Sequence, residues 1–230
     1  MASTSSLTPA RLEDLEKHTA CDIADALLKL KVPNAGFVAD LLPRTSSKQE
    51  ITIGRASTVF FSSKNPEDAA QLPPGNIPAG NHYVDLTQPG TIVVLSQPKG
   101  QKCAVLGGIM ALRMKMLDAQ GVIVHGRVRD VRELESTGLP IWSKGTSIVG
   151  TGAEAKPYAI QIPLDLDGTV VAPGDVVFCD PTNGVVVIPQ ERLGETLMLL
   201  SKLVEADARV KEDVETGMTV QEAFKTHRGR

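Results

Sequence analysis

Aromatic residues are scarce in this 230-residue chain: one tryptophan, two tyrosines and five phenylalanines, 3% of the total. Nucleic-acid-binding sheets stack bases on aromatics set among basic residues, and no such interleaving occurs. An excess of one charge is missing too. The 24 lysines and arginines against 27 acids leave a formal net charge of -3, so there is no broad positive footprint for nucleic acid. No apolar run of about eighteen residues exists, which excludes a transmembrane helix and a membrane role of that kind. The opening MASTSSLTPARLEDLEKHTA lacks the apolar core of a secretory signal, and a cytoplasmic location is expected. The three cysteines, Cys21, Cys103 and Cys179, are odd in number and far apart. Reduced, mostly buried thiols are expected rather than a disulfide framework, and the spacing supports no Cys/His metal cluster.

What is present reads as one α/β domain over 1–230, with N-terminal helices at about 8–32, an α/β core at about 50–190 and C-terminal helices at about 190–227. Thr8-Pro9 suits a helix start for ARLEDLEKH. CDIADALLKLKV is a second helix, with Asp22 as its cap and Ile23, Ala26, Leu27 and Leu30 on one face. After Pro33, short apolar runs between turn residues signal strands, beginning with ITIGRASTVFF at 51–61. A polar, proline-rich loop fills 62–82, a length usual for functional or disordered segments. QPGTIVVLS (88–96) and APGDVVFCD (172–180) each place a Pro-Gly turn before a buried strand. Between them, a glycine pair opens a helix from about Ile109 to Ala119, with Ile109, Met110, Leu112, Met116 and Leu117 as its apolar positions. The strand Val122–Val124 follows. Strand, helix, strand is a β-α-β unit with a parallel pair. LPIWSKG, YAIQIPLDL and NGVVVIPQE read as further strands, and two helices close the chain after 190, with Gly217 between them.

Two places carry candidate chemistry. Gly107-Gly108 opens a helix whose first N–H groups lack intrahelical partners, and those donors with the helix dipole favour an anion. A plain tight turn explains the same glycines. GVIVHGRVRDVREL (121–134) runs from a core strand into dense charge. In a β-α-β unit the turn after the first strand and the end of the next one meet at one sheet edge, which brings Arg129 and Asp130 toward Gly107-Gly108. Arg129 has the planar fork for a carboxylate or carbonyl oxygen. Asp130 suits a hard divalent cation that keeps most of its water. A solvated, self-paired loop is the competing reading. Arg127, Arg132 and Glu133 are expected at the surface, and His125 fits either a buried structural residue or part of a site.

These residues carry a resemblance. VLGGIMALRMKMLDAQGVIVHGRVRD (105–130) resembles the signature of the RraA-like proteins, which include 4-hydroxy-4-methyl-2-oxoglutarate aldolases with oxaloacetate decarboxylase activity. CDIADALLKL, GRASTV, QPGTIVV, LPIWSKG, APGDVVFCD and NGVVVIP fit in the same order, so the likeness covers most of the chain. It implies an α/β/β/α sandwich of the swivelling-domain type, assembled as a homotrimer or a dimer of trimers. It implies a lyase releasing pyruvate from a small 2-oxo acid. Arg129 would bind the pyruvoyl unit and stabilise its enolate. Asp130 would ligate magnesium or manganese, and the amides of Gly107, Gly108, Ile109 and Met110 would grip the substrate carboxylate. No Schiff-base lysine is implied, Lys115 included.

The chain also departs from that pattern. Family aldolases commonly carry an acid where this chain has Gly108, and often aspartate where it has His125. An acid from a neighbouring subunit completes the family's outer shell, for which Glu205, Asp207 and Glu212 are open candidates. The alternative within the same resemblance is a non-catalytic, protein-binding regulator of RNA processing.

Overall fold

Two helices lead the chain, α1 (Pro9–Leu15) and α2 (Ala20–Lys29); the computed structural model describes residues 6–45, 50–65, 67 and 72–229. At α2 the cap differs from expectation, because Thr19 rather than Asp22 is the N-cap. The two close a capping box: Asp22 N donates to Thr19 Oγ1 at 3.2 Å and Thr19 N donates to Asp22 Oδ2 at 2.8 Å. That reciprocal pair satisfies two open amides where a lone aspartate cap satisfies one.

Strands β1 (Phe37–Val38), β2 (Leu42–Pro43), β3 (Thr52–Ser63) and β4 (Thr91–Ser96) come next. Helix α3 (Gly108–Met116), strand β5 (Gly121–Val128), helix α4 (Val131–Ser136) and strand β6 (Ile141–Thr146) follow. Then come β7 (Ala155–Ile160), the hairpin β8 (Leu164–Leu166) and β9 (Thr169–Val171), β10 (Val176–Asp180) and β11 (Gly184–Ile188). Helices α5 (Leu193–Glu215) and α6 (Val220–Arg228) end the chain. Part of the 62–82 loop lies outside the described residues.

The main sheet runs β1-β11-β10-β3-β4-β5-β6-β2, with β7 also paired to β3. Strands β3 to β6 are parallel, while β10, β11 and β1 are antiparallel. The 12-residue β3 serves both halves. Its first residues pair with β10, and Arg55 through Phe60 pair with β4.

Period-two alternation sorts the apolar side chains into three cores. Val93, Leu95, Val122 and Val124 pack with Ala111 and Met114 of α3 and Leu134 of α4. The alternate residues Ile92, Val94 and Ile123 pack with Val177, Cys179, Val185 and Val187 of the antiparallel half. On that half's outer face, Val176, Phe178, Val186 and Ile188 meet Leu15, Ile23, Leu27, Leu193 and Leu200 of the terminal helices. Helix, sheet, sheet, helix is the layer order that the family resemblance implies.

One expectation is corrected. Helix α3 stops at Met116, and three of its large apolar residues turn away from the core: Ile109, Leu112 and Met116 are 74%, 52% and 68% exposed. Gly108, Ala111 and Met114 form the inner face, two small residues and one methionine set against the sheet. Cys103 and Cys179 are buried, but Cys21 is exposed, one position past buried Ala20 on the outer side of α2.

Candidate functional site

Strand β5 delivers Arg129 and Asp130 through a short ladder. Leu106 bridges Val128 in parallel register, Arg129 N donates to Leu106 O at 3.0 Å, and Val105 N donates to Arg127 O at 2.9 Å. The 105–108 turn is thereby pinned beside the strand end. A methyl built on Gly107 would stand 2.8 Å from Asp130 Oδ2 and 3.3 Å from Arg129 Nε. The two side chains thus use the space that glycine leaves empty. Asp130 adopts a left-handed conformation, φ 58° and ψ 44°, at the entry to α4, which a short polar side chain tolerates. Arg129 Nε and Asp130 Oδ2 are 3.4 Å apart, with the side chains 47% and 40% exposed.

The α3 ladder begins with Ala111 N donating to Gly107 O at 3.1 Å, and no side chain caps this end. The N–H groups of Gly108, Ile109 and Met110 therefore precede the ladder and are available to an anion. A cavity of about 450 Å³ opens over them, lined by residues 107–110, Arg129 and Asp130 together with Phe61, Lys64, His82, Tyr83, residues 150–152 and Lys156. All six residues singled out from the sequence therefore meet at one cavity.

Several of its walls were not read from the sequence. A Cβ on Gly150 would lie 3.1 Å from Arg129 Nη1, so glycine there leaves the guanidinium its seat. Thr151 Oγ1 donates to Ala104 O at 2.6 Å, tying the 150–152 turn to the loop before Gly107. Glu154 accepts from Lys102 N at 2.7 Å and Cys103 N at 2.6 Å, bonds that hold its carboxyl below the usual range. Tyr83 OH donates to Val105 O at 3.3 Å, and burial pushes its phenol up, so it stays neutral. The Gly-Thr-Gly of 150–152 was the one local signal; Lys64, His82 and Lys156 arrive by long-range packing.

Glu133 is exposed, as a surface charge should be, yet its carboxylate lies over Gly108. A Cβ on Gly108 would fall 2.1 Å from Glu133 Oε2 and 2.5 Å from Glu133 Cβ. The acid of α4 thus fills the space a side chain at 108 would need. Among the described residues no three His, Cys, Asp or Glu form a group that could cage an ion. One carboxylate open to water, with a second nearby, instead suits a hard cation that keeps most of its water shell, as magnesium does.

His125 lies on the opposite face of the sheet and does not line this cavity. The C-terminal candidates do not line it either. Asp207 accepts from Arg228 Nε at 2.6 Å, Glu205 accepts from Arg209 Nη2 at 2.5 Å, and Glu212 is exposed.

Comparison with known proteins bears on this arrangement. Protein DlpA of Legionella pneumophila is 26% identical over 215 residues, covering 94% of this chain but 33% of that protein. A Halalkalibacterium halodurans protein named "Putative 4-hydroxy-4-methyl-2-oxoglutarate aldolase" is 30% identical over 125 residues, covering 54% of this chain and 58% of that one. The chain thus spans from a third to somewhat over half of the length of these relatives. Among solved structures, Streptomyces coelicolor RraAS2 is described as an unusual member of the RNase ES inhibitor RraA protein family. It superposes with a TM-score of 0.70 at 21% identity, over 92% of this chain and 98% of that one, a likeness of fold. The family model for RraA-like proteins, Aldolase/RraA, matches residues 20–187. That span takes in both halves of the sheet and the whole Gly108-to-Asp130 unit, and the chain belongs to the RraA-like, Aldolase/RraA family.

Proposed function

We propose that this chain is a divalent-metal-dependent lyase. It cleaves 4-hydroxy-2-oxo acids such as 4-hydroxy-4-methyl-2-oxoglutarate to pyruvate, decarboxylates oxaloacetate, or does both. The observation that carries the reading is the convergence of Arg129 and Asp130 with the open amides of α3 over one cavity. The amides of Gly108, Ile109 and Met110 hold the substrate's C1 carboxylate. The Arg129 fork donates to the C2 oxygen, where negative charge develops as the enolate forms, so its contribution grows toward the transition state. Asp130 would hold the cation, Mg2+ or Mn2+, with the Glu133 carboxylate beside Gly108 as a second acid at the same site. When bound, that cation supplies Lewis-acid polarisation of the 2-oxo group. In aldol cleavage the 4-hydroxyl loses its proton, C4 becomes a carbonyl, and the C3–C4 electron pair passes into the pyruvate enolate. In oxaloacetate the same bond breaks to release carbon dioxide.

A homotrimer or dimer of trimers accompanies this reading, supported by the exposed Ile109, Leu112 and Met116 stripe beside the cavity, which a neighbouring copy would bury. The test incubates the protein with oxaloacetate and with 4-hydroxy-4-methyl-2-oxoglutarate, with magnesium, with and without chelator, and measures pyruvate. Chelator-sensitive pyruvate is expected. Its absence from both substrates would sink the lyase reading and favour a partner-binding regulator.

A further inference from the structure

A second cavity, about 710 Å³, opens at the same end of the parallel strands on the other face of the sheet. Phe60 lines it while the next residue, Phe61, lines the first cavity. Four cationic side chains border it, Lys99, Lys102, Arg127 and Lys144, against two carboxylates, Asp165 and Asp167. Four minus two leaves an excess of two positive charges with His125 neutral.

Its centre is filled from within the chain. Asp167 sits in the two-residue turn between β8 and β9, at φ 56° and followed by Gly168 at φ 93°. Asp165 Oδ1 accepts from Gly168 N at 2.6 Å and braces that turn. Asp167 Oδ2 then accepts from Lys144 Nζ at 2.5 Å and lies 3.3 Å from His125 Nε2, while Oδ1 is 3.7 Å from Lys99 Nζ. Lys144 and His125 are 25% and 10% exposed, whereas Asp167 itself is 46% exposed. A mostly buried ammonium is costly without an anion beside it, and the anion it has stands on a solvent-facing turn in a space far larger than one carboxylate fills. Anything that replaces Asp167 must bring negative charge, and with Asp167 displaced four cations face Asp165 alone, which favours more than a single negative charge.

We propose that this cavity is a second binding site, for a small dianion of the dicarboxylate or phosphate class, in which Asp167 is a resident carboxylate that the ligand displaces from Lys144 and His125. The inference is independent of the lyase reading, because it concerns other residues and is measured without turnover. Calorimetric titration of metal-free Arg129→Ala protein, in which the first cavity has lost its guanidinium, uses inorganic phosphate in one arm and malonate in the other; the arm whose binding depends on Lys144 identifies the class. Asp167→Asn, added to that protein, is expected to tighten binding about tenfold, with Asp167→Ser doing the same, and adding Lys144→Met to either is expected to abolish it. Unchanged affinity on both substitutions at 167, or binding that survives Lys144→Met, overturns the proposal. So does a loss of melting temperature in the 167 variants without any anion binding, which would make Asp167 a plain brace for the hairpin.

Discussion

Two cavities share one strand end and are organised in opposite ways. In the first, Arg129 and Asp130 stand 3.4 Å apart, both about half exposed, beside amides that no side chain caps. In the second, Asp167 is clamped at 2.5 Å by a lysine that is only 25% exposed. A loose, wet pair gains little from its own attraction and leaves both groups open to a ligand. A close pair with a buried partner has to be replaced rather than joined. The same sheet thus presents a site left open by glycine and a site closed by its own carboxylate.

Removing the open site's cation should have the largest effect. Arg129→Ala is expected to lower kcat/KM for pyruvate release by about 10²–10³-fold, the usual cost of one transition-state donor, and unchanged turnover would erase the functional difference between the cavities. Gly108→Ala comes next. The added Cβ meets Glu133 Oε2 at 2.1 Å, so Glu133 must move, and magnesium or manganese affinity measured by calorimetry should weaken about tenfold. Equal affinity in the variant would detach Glu133 from the site.

The closed site is sharpened by a double-mutant cycle. Lys144→Met and Asp167→Asn in urea melts should show a coupling of about 0.5–1 kcal/mol, small because Asp167 is half exposed. Zero coupling would mean that the short contact carries no stability.

The smallest effect is a pH dependence confined to the second cavity. Burial pushes His125 below its ordinary 6.5, Lys144 adds to this, and Asp167 and Asp165 oppose it. A depressed histidine takes up its proton more readily unfolded than folded, so stability is lost as pH falls below about 6.5. Asp167, lowered chiefly by its hydrogen bond from Lys144, contributes stability above 3.8 that disappears below it, in a separate and more acid window. His125→Gln should therefore flatten the melting temperature between about pH 7 and pH 5; an unchanged slope would place the titration elsewhere.

Much of the fold and the placement of the first cavity were legible because they depend on local pattern. The run β4-α3-β5 has apolar strands, a glycine pair and a helix in sequence, and β-α-β geometry alone predicts that Arg129 and Asp130 approach Gly107-Gly108. The Pro-Gly turns are legible for the same reason, with Gly90 at φ 72° and Gly174 at φ 89°. Periodicity names a helix and its apolar positions but not its inner face, and Ile109, Leu112 and Met116 turn out to be exposed. Lys64, His82 and Lys156 reach the cavity only through long-range packing, and nothing near them in the chain announces it. The clamp on Asp167 was hidden likewise, since His125, Lys144 and Asp167 belong to three separate elements.

Strand β3 has a consequence for biosynthesis. Its first residues pair with β10, which is made much later, and Arg55 through Phe60 pair with β4, which follows soon after. While the chain is being synthesised, the parallel half can assemble from its near neighbours, but the side of it carrying Ile92, Val94 and Ile123 stays uncovered until Val177, Cys179, Val185 and Val187 emerge. A half-built sheet with a bare apolar face and an open strand edge is prone to wrong pairing. The nascent chain is therefore at greatest risk of aggregation after β6 is complete and before β11 arrives, an interval in which a chaperone would have most to shield.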